Sequence, residues 1–182
     1  LTPETARAIA PYLPLAETLG QFFAQFSRGG VQTLTLEIAG ELAAYDGAPL
    51  TAAVLRGLLE TSITERVNLV NAMALAKARG IAIVERRTPD AGAFAAQLTL
   101  SGETPAGTTT VAGTVAGGES RLTRLDDYRL DMAPAESMLI TRHMDRPGTV
   151  GRIGLILGAA DVNISAMQLA RSKPREGALM FL

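Results

Sequence analysis

An acid, Asp145, and an amide, Asn163, bracket a short run whose residue types and spacing suit ligand capture. From Leu139 to Leu169 the chain reads as strand, tight turn, helix, turn, strand. Leu139 and Ile140 open a β-type segment that ends at His143-Met144-Asp145. Pro147 has the φ of a first helical turn and no amide hydrogen to waste there, which puts the helix start at this residue. Ile153, Ile156 and Leu157 then recur at helical spacing, and Leu155 widens the apolar stripe. Val162-Asn163-Ile164 begins a second strand. With the two strands side by side, Asp145 and Asn163 both sit at the helix N-terminus. A small amino acid would find complementary groups there. Its carboxylate meets free amides and the positive end of a dipole; its ammonium meets Asp145; its remaining polar atoms meet Asn163. Taken singly, Pro147 and Gly148 fit ordinary turn chemistry, and Gly151, Gly154 and Gly158 fit close packing. The ordered set of Asp, Pro, Gly and Asn between two apolar strands is what points to a ligand.

Other chemistries find little support. There is no cysteine, which removes disulfides, thiol nucleophiles and cysteine-ligated metals, and the single histidine, His143, rules out a histidine metal cluster. No nucleophile elbow, phosphate loop or dinucleotide fingerprint occurs; Gly113 to Gly118 is glycine-rich but lies in a strand meander and reads as a hairpin turn. Glu60 and Glu65 read as solvated surface. The net charge of −1, with no stripe of Lys or Arg, argues against nucleic acid as a partner. No apolar run approaches a bilayer span, and the opening residues lack the pattern of a signal peptide, so the expectation is a cytoplasmic protein. Four arginines remain as candidates for an anion: Arg121, Arg124, Arg142 and Arg146. Arg121 is the preferred one, because a guanidinium grips carboxylate or phosphate in bidentate fashion.

The elements that must position these groups fall into two parts. Leu15, Leu19, Phe22, Phe23 and Phe26 repeat at helical steps up to a glycine stop at Gly29-Gly30. Leu34, Leu36 and Ile38 alternate as a half-buried strand. A second helix starts near Pro49 or Leu50, and a third runs from Asn68 to Arg79, ended by Gly80, before a short strand at Ile81–Val84. Thr88 to Gly92 is a loop. Beyond Phe94 the pattern changes to strands (AAQLTL, TTTVAGTVAG, SRLTRL) joined by glycine-bearing turns. Helices followed by a meander predict an α+β architecture with a mostly antiparallel sheet. Asp131 to Ser137 reads as the linker, giving domains at 1–134 and 135–182.

Two resemblances extend this reading. The segment from Met138 onward, with D-R-P-G-T-V-G-R-I-G and N-I, resembles the ACT domain, an amino-acid-binding module of ferredoxin-like β-α-β-β-α-β order. Set against that order, the chain stops at Met180-Phe181-Leu182 inside the third strand, which would leave an apolar face uncovered and an edge unpaired. Upstream, PYLPLAETLGQFFAQF, VQTLTLEIAG, PLTAAVLRGLLE and VNLVNAMALAKARGI resemble the C-terminal regulatory half of long-form D-3-phosphoglycerate dehydrogenases. In that family an allosteric substrate-binding domain precedes an ACT domain. The resemblance implies an intact NAD-dependent enzyme at the start of serine synthesis, with no cofactor and no catalytic residue in this part. It implies L-serine as feedback effector, held between subunits of a dimer or tetramer. By residue match the serine contacts are Asp145 and Asn163, with His143 and the backbone of Arg146, Pro147, Gly148, Thr149 and Val150. Arg121 falls where the family places one anion-binding residue, and Asp131 falls near where it places another arginine. Two other readings are the β-chain of an iron–sulfur L-serine dehydratase and a free-standing amino-acid sensor. The first is disfavoured because the serine–histidine-rich start of that subunit is missing here.

Overall fold

A computed structural model describes residues 2–27, 30–105, 107–171 and 177–182. The amphipathic pattern before the glycine pair forms α1 (Pro3–Ile9), a short 3-10 turn, and α2 (Leu13–Phe26). There follow β1 (Thr33–Gly40), α3 (Ala48–Glu60), α4 (Ala72–Ala78) and β2 (Ala82–Thr88). The meander is β3 (Ala96–Thr104), β4 (Gly107–Ala116), β5 (Glu119–Leu125) and β6 (Tyr128–Met132). These six strands make one sheet in the order β2-β1-β3-β4-β5-β6. The β1–β2 pair, bridged by helices, is parallel, and the other pairings are antiparallel. The α+β reading with a mostly antiparallel sheet therefore holds.

The core sits where α2 crosses this sheet and where α3 packs on α2. Leu15, Leu19 and Phe23 of α2 are fully buried with Leu34, Leu36 and Ile38 of β1 and Leu98 and Leu100 of β3. Two strand glycines make room for the helix. A Cβ on Gly102 would stand 2.9 Å from the Phe23 ring, and one on Gly113 would stand 2.6 Å from Leu15. Tyr12 is drawn into the same structure. Burial pushes its hydroxyl above the ordinary value, while hydrogen bonds with Thr114 and the Val115 backbone pull the other way.

The C-terminal part is built from β7 (Ile140–Met144), α5 (Thr149–Ala159), β8 (Gln168–Arg171) and β9 (Gly177–Phe181). Its sheet has the order β7-β9-β8, both pairings antiparallel. The run at Met180-Phe181 is thus in the middle strand, paired on both sides, and β7 and β8 are the outer strands of this sheet. Leu179 and Phe181 join the main hydrophobic core, which fixes this sheet against the first one. The Asp131 amide also donates to Gln168 Oε1 at 3.3 Å, between the two sheets.

Four details differ from the sequence reading. The third helix begins at Ala72 instead of Asn68, because the two asparagines make a turn of their own. Asn71 Oδ1 accepts from the Asn68 amide at 2.7 Å, and Asn68 Oδ1 accepts from Val70 and Asn71 at 2.9 and 3.0 Å. Asp131 and Met132 belong to β6, so the connection between the sheets starts at Ala133. Pro147 lies outside α5, whose cap is Gly148 in the left-handed region, φ 82°. Residues 162–164 form no ladder, and the strand begins only at Gln168.

Candidate functional site

Strand alternation decides what β7 presents to each side. Arg142 turns toward the first sheet, where its guanidinium lies 5.0 Å over the Phe26 ring and 3.4 Å from Asp126 Oδ2. Its neighbours Thr141 and His143 take the other face, within 3.4 Å of one another through Oγ1 and Nδ1. His143 faces Ala178 of β9, and Ala178 in turn faces Arg171 of β8. Directly opposed residues share a face of the sheet. His143, Ala178 and Arg171 therefore form one row, and the buried methyl of Ala178 leaves a hollow between the two longer side chains.

The chain from β7 to α5 walls this hollow. Gly148 adopts a conformation that a side chain would strain, and it closes a tight turn in which the Thr149 amide donates to the Arg146 carbonyl at 3.3 Å. No side chain caps α5, and with the Thr149 amide given to Arg146 it is the Val150 and Gly151 amides of the first turn that can meet a ligand. His143, Asp145, Arg146, Pro147, Gly148, Thr149 and Val150 line a cavity of about 360 Å³, with Leu169 and Arg171 lining it from β8. That volume lies at the low end of small-molecule pockets, about 300–1,000 Å³. Asp145 is mostly buried, and its carboxylate oxygen lies 3.1 Å from Arg171 Nε, whose side chain is half exposed. The lining thus brings together one carboxylate, two arginines, one imidazole and a positive helix end around an apolar floor.

Seven of the eight residues proposed as effector contacts converge on this one cavity. Asn163 does not. The second strand is not beside β7 as expected, because β9 lies between β7 and β8; Asn163 falls in the exposed stretch before β8. Within one chain it stays outside the pocket. Leu169 and Arg171, conversely, went unpredicted. The signal for them was present, since they stand two apart on one strand and so share a face, and a sequestered Asp145 calls for a basic partner.

Of the four arginine candidates, Arg146 lines the cavity, while Arg121, Arg124 and Arg142 are engaged elsewhere. Arg121 Nε pairs with Asp131 Oδ1 at 2.6 Å, and its Nη2 donates to the Asp131 carbonyl at 3.2 Å. Arg124 donates to the Asp126 carbonyl at 2.6 Å. Asp131 thus already occupies the Nε and Nη2 edge of the Arg121 guanidinium. Glu60 is exposed, and the exposed Glu65 lies 3.4 Å from Arg79. Gly117 and Gly118, both with positive φ, form the turn between β4 and β5. Among the described residues no three acidic, histidine or cysteine side chains gather as a metal site, and no helix is long and apolar enough to cross a membrane.

Comparison with known proteins points one way. Residues 8–126 match the D-3-phosphoglycerate dehydrogenase intervening domain. D-3-phosphoglycerate dehydrogenase of a Synechocystis strain is 39% identical over 184 residues, covering 100% of this chain and 33% of the relative. The enzyme of Archaeoglobus fulgidus is 29% identical, covering 100% and 34%, and that of Methanocaldococcus jannaschii is 32% identical, covering 96% and 33%. The chain spans about a third of the length of these curated relatives.

Proposed function

The chain belongs to the D-3-phosphoglycerate dehydrogenase intervening-domain family, and from that membership we propose that it is the regulatory part of an NAD-dependent 3-phosphoglycerate oxidoreductase of serine biosynthesis. Oxidation and NAD binding are then the work of the remaining length, which this chain does not span. In this reading residues 1–134 are the intervening domain and residues 135–182 belong to an ACT domain that takes L-serine. The observation that carries it is the convergence of His143, Asp145 and the Arg146–Val150 turn on one cavity at an uncapped helix N-terminus. Serine's ammonium goes to Asp145, and its carboxylate goes toward the α5 amides. Asn163, outside the pocket of its own chain, reaches serine held by a second copy, so the effector sits between subunits. Its regulatory effect equals its preference for one arrangement of the oligomer over another.

Calorimetric titration of the full-length protein with L-serine tests this, alongside the rate of 3-phosphoglycerate oxidation with NAD. The expected outcome is saturable serine binding in the native protein and its loss in Asp145→Ala. Unchanged serine affinity in that variant refutes the site, and absence of the oxidation refutes the enzyme.

A further inference from the structure

The Asp145–Arg171 pair raises a question about ligand class. The carboxylate assigned to the ligand's ammonium already faces a guanidinium inside the same cavity, 3.1 Å away. A ligand bearing only an ammonium must evict Arg171 and leaves that cation without its partner. A ligand bearing only a carboxylate leaves Asp145 without one. A zwitterion can enter between the two, its ammonium on Asp145 and its carboxylate on Arg171, replacing one ion pair by two without changing the net charge of the site. The row geometry allows this insertion. Arg171 and His143 both oppose the small, fully buried Ala178, so the space between the two long side chains is floored by a methyl group. The half-exposed guanidinium can swing outward by rotamer change while its strand stays paired with β9.

Resting on the effector reading above, we propose that Arg171 is a specificity-determining residue of this pocket: it shares the ligand's carboxylate with the first-turn amides of α5 and so restricts the site to zwitterionic amino acids. Within the chain the same guanidinium holds Asp145, keeping the carboxylate placed and compensated. Arg171 is therefore both the stand-in for the ligand's ammonium and the receptor for its carboxylate.

The test compares L-serine with L-serinamide, which keeps the ammonium but has no carboxylate, by calorimetry on the full-length protein. The native protein is expected to favour serine by on the order of 10-fold or more, the scale of a charge-assisted hydrogen bond at a partly exposed site. Arg171→Gln is expected to weaken serine by about 10-fold and to bind serinamide as well as or better than the native protein, so the discrimination collapses. Arg171→Lys, which keeps the charge but loses the fork, should fall between the two and guards against misfolding of the glutamine variant. If Arg171→Gln binds serine as tightly as the native protein or more tightly, Arg171 is only a competitor for Asp145, and the proposal is overturned while the effector site stands. If the native protein binds no small amino acid, the effector reading fails and this proposal with it.

Discussion

The two helices that matter most in this molecule, α2 and α5, are held in opposite ways. Five residues of α2 are buried, and its Gly20 lets the Val54–Leu58 backbone of α3 approach so closely that any side chain there would collide. No residue of α5 is buried, Leu155 and Ile156 are 75% and 68% exposed, and a Cβ on Gly151, Gly154 or Gly158 would meet nothing within 4 Å. Glycines of one residue type thus do unlike work: in α2 and α3 they are packing positions, and in α5 they cost helix stability without a steric return within the chain. The lesson concerns where stability and responsiveness reside. A closely packed unit resists rearrangement, whereas a lightly held helix carrying the pocket wall belongs to the low-stability end from which responsive elements are drawn.

Substitutions can break or sharpen this contrast. The largest effect is expected at Phe23, fully buried beneath α2: Phe23→Ala should cost about 3–5 kcal/mol in urea-unfolding measurements. A loss below about 1 kcal/mol would mean that the first unit is not the rigid one. Next comes Gly57→Ala, where the new methyl would fall on the Glu17 carbonyl oxygen of α2 and 3.1 Å from the Gln21 amide. Neither backbone can swing aside, so a cost of about 2–3 kcal/mol is expected from the same unfolding curves. The smallest change has the opposite sign. Gly154→Ala in the middle of α5 should stabilise that helix by about 0.5–1 kcal/mol, read as slower amide hydrogen exchange across residues 149–159. Faster exchange there would show that the small residue is required against something, contrary to its open surroundings in this chain.

Much of the first unit was legible because its residues advertise period. Leu34, Leu36 and Ile38 alternate, and Leu15, Leu19 and Phe23 recur at helical steps, so both strand and helix followed from spacing alone. The start of α4 was not legible, because Asn68 and Asn71 satisfy the local amides with their own side chains and keep a helical-looking stretch in a turn. At the site, Asp145 and the Arg146–Val150 turn could be picked out from residue order. The cap could not: Pro147 suits a first helical position, yet the positive φ of Gly148 moves the start of α5 two residues on.

Residue order alone determined the period of most elements, the glycine and proline punctuation, and the presence of an acid just before a helix start, because these depend on neighbours a few positions away. Which strands adjoin was decided only in three dimensions. Insertion of β9 between β7 and β8 carries Asn163 out of the pocket and brings Arg171 into it, opposite Asp145. Strand pairing joins residues distant in the chain, and its outcome rests on which apolar faces can be buried together.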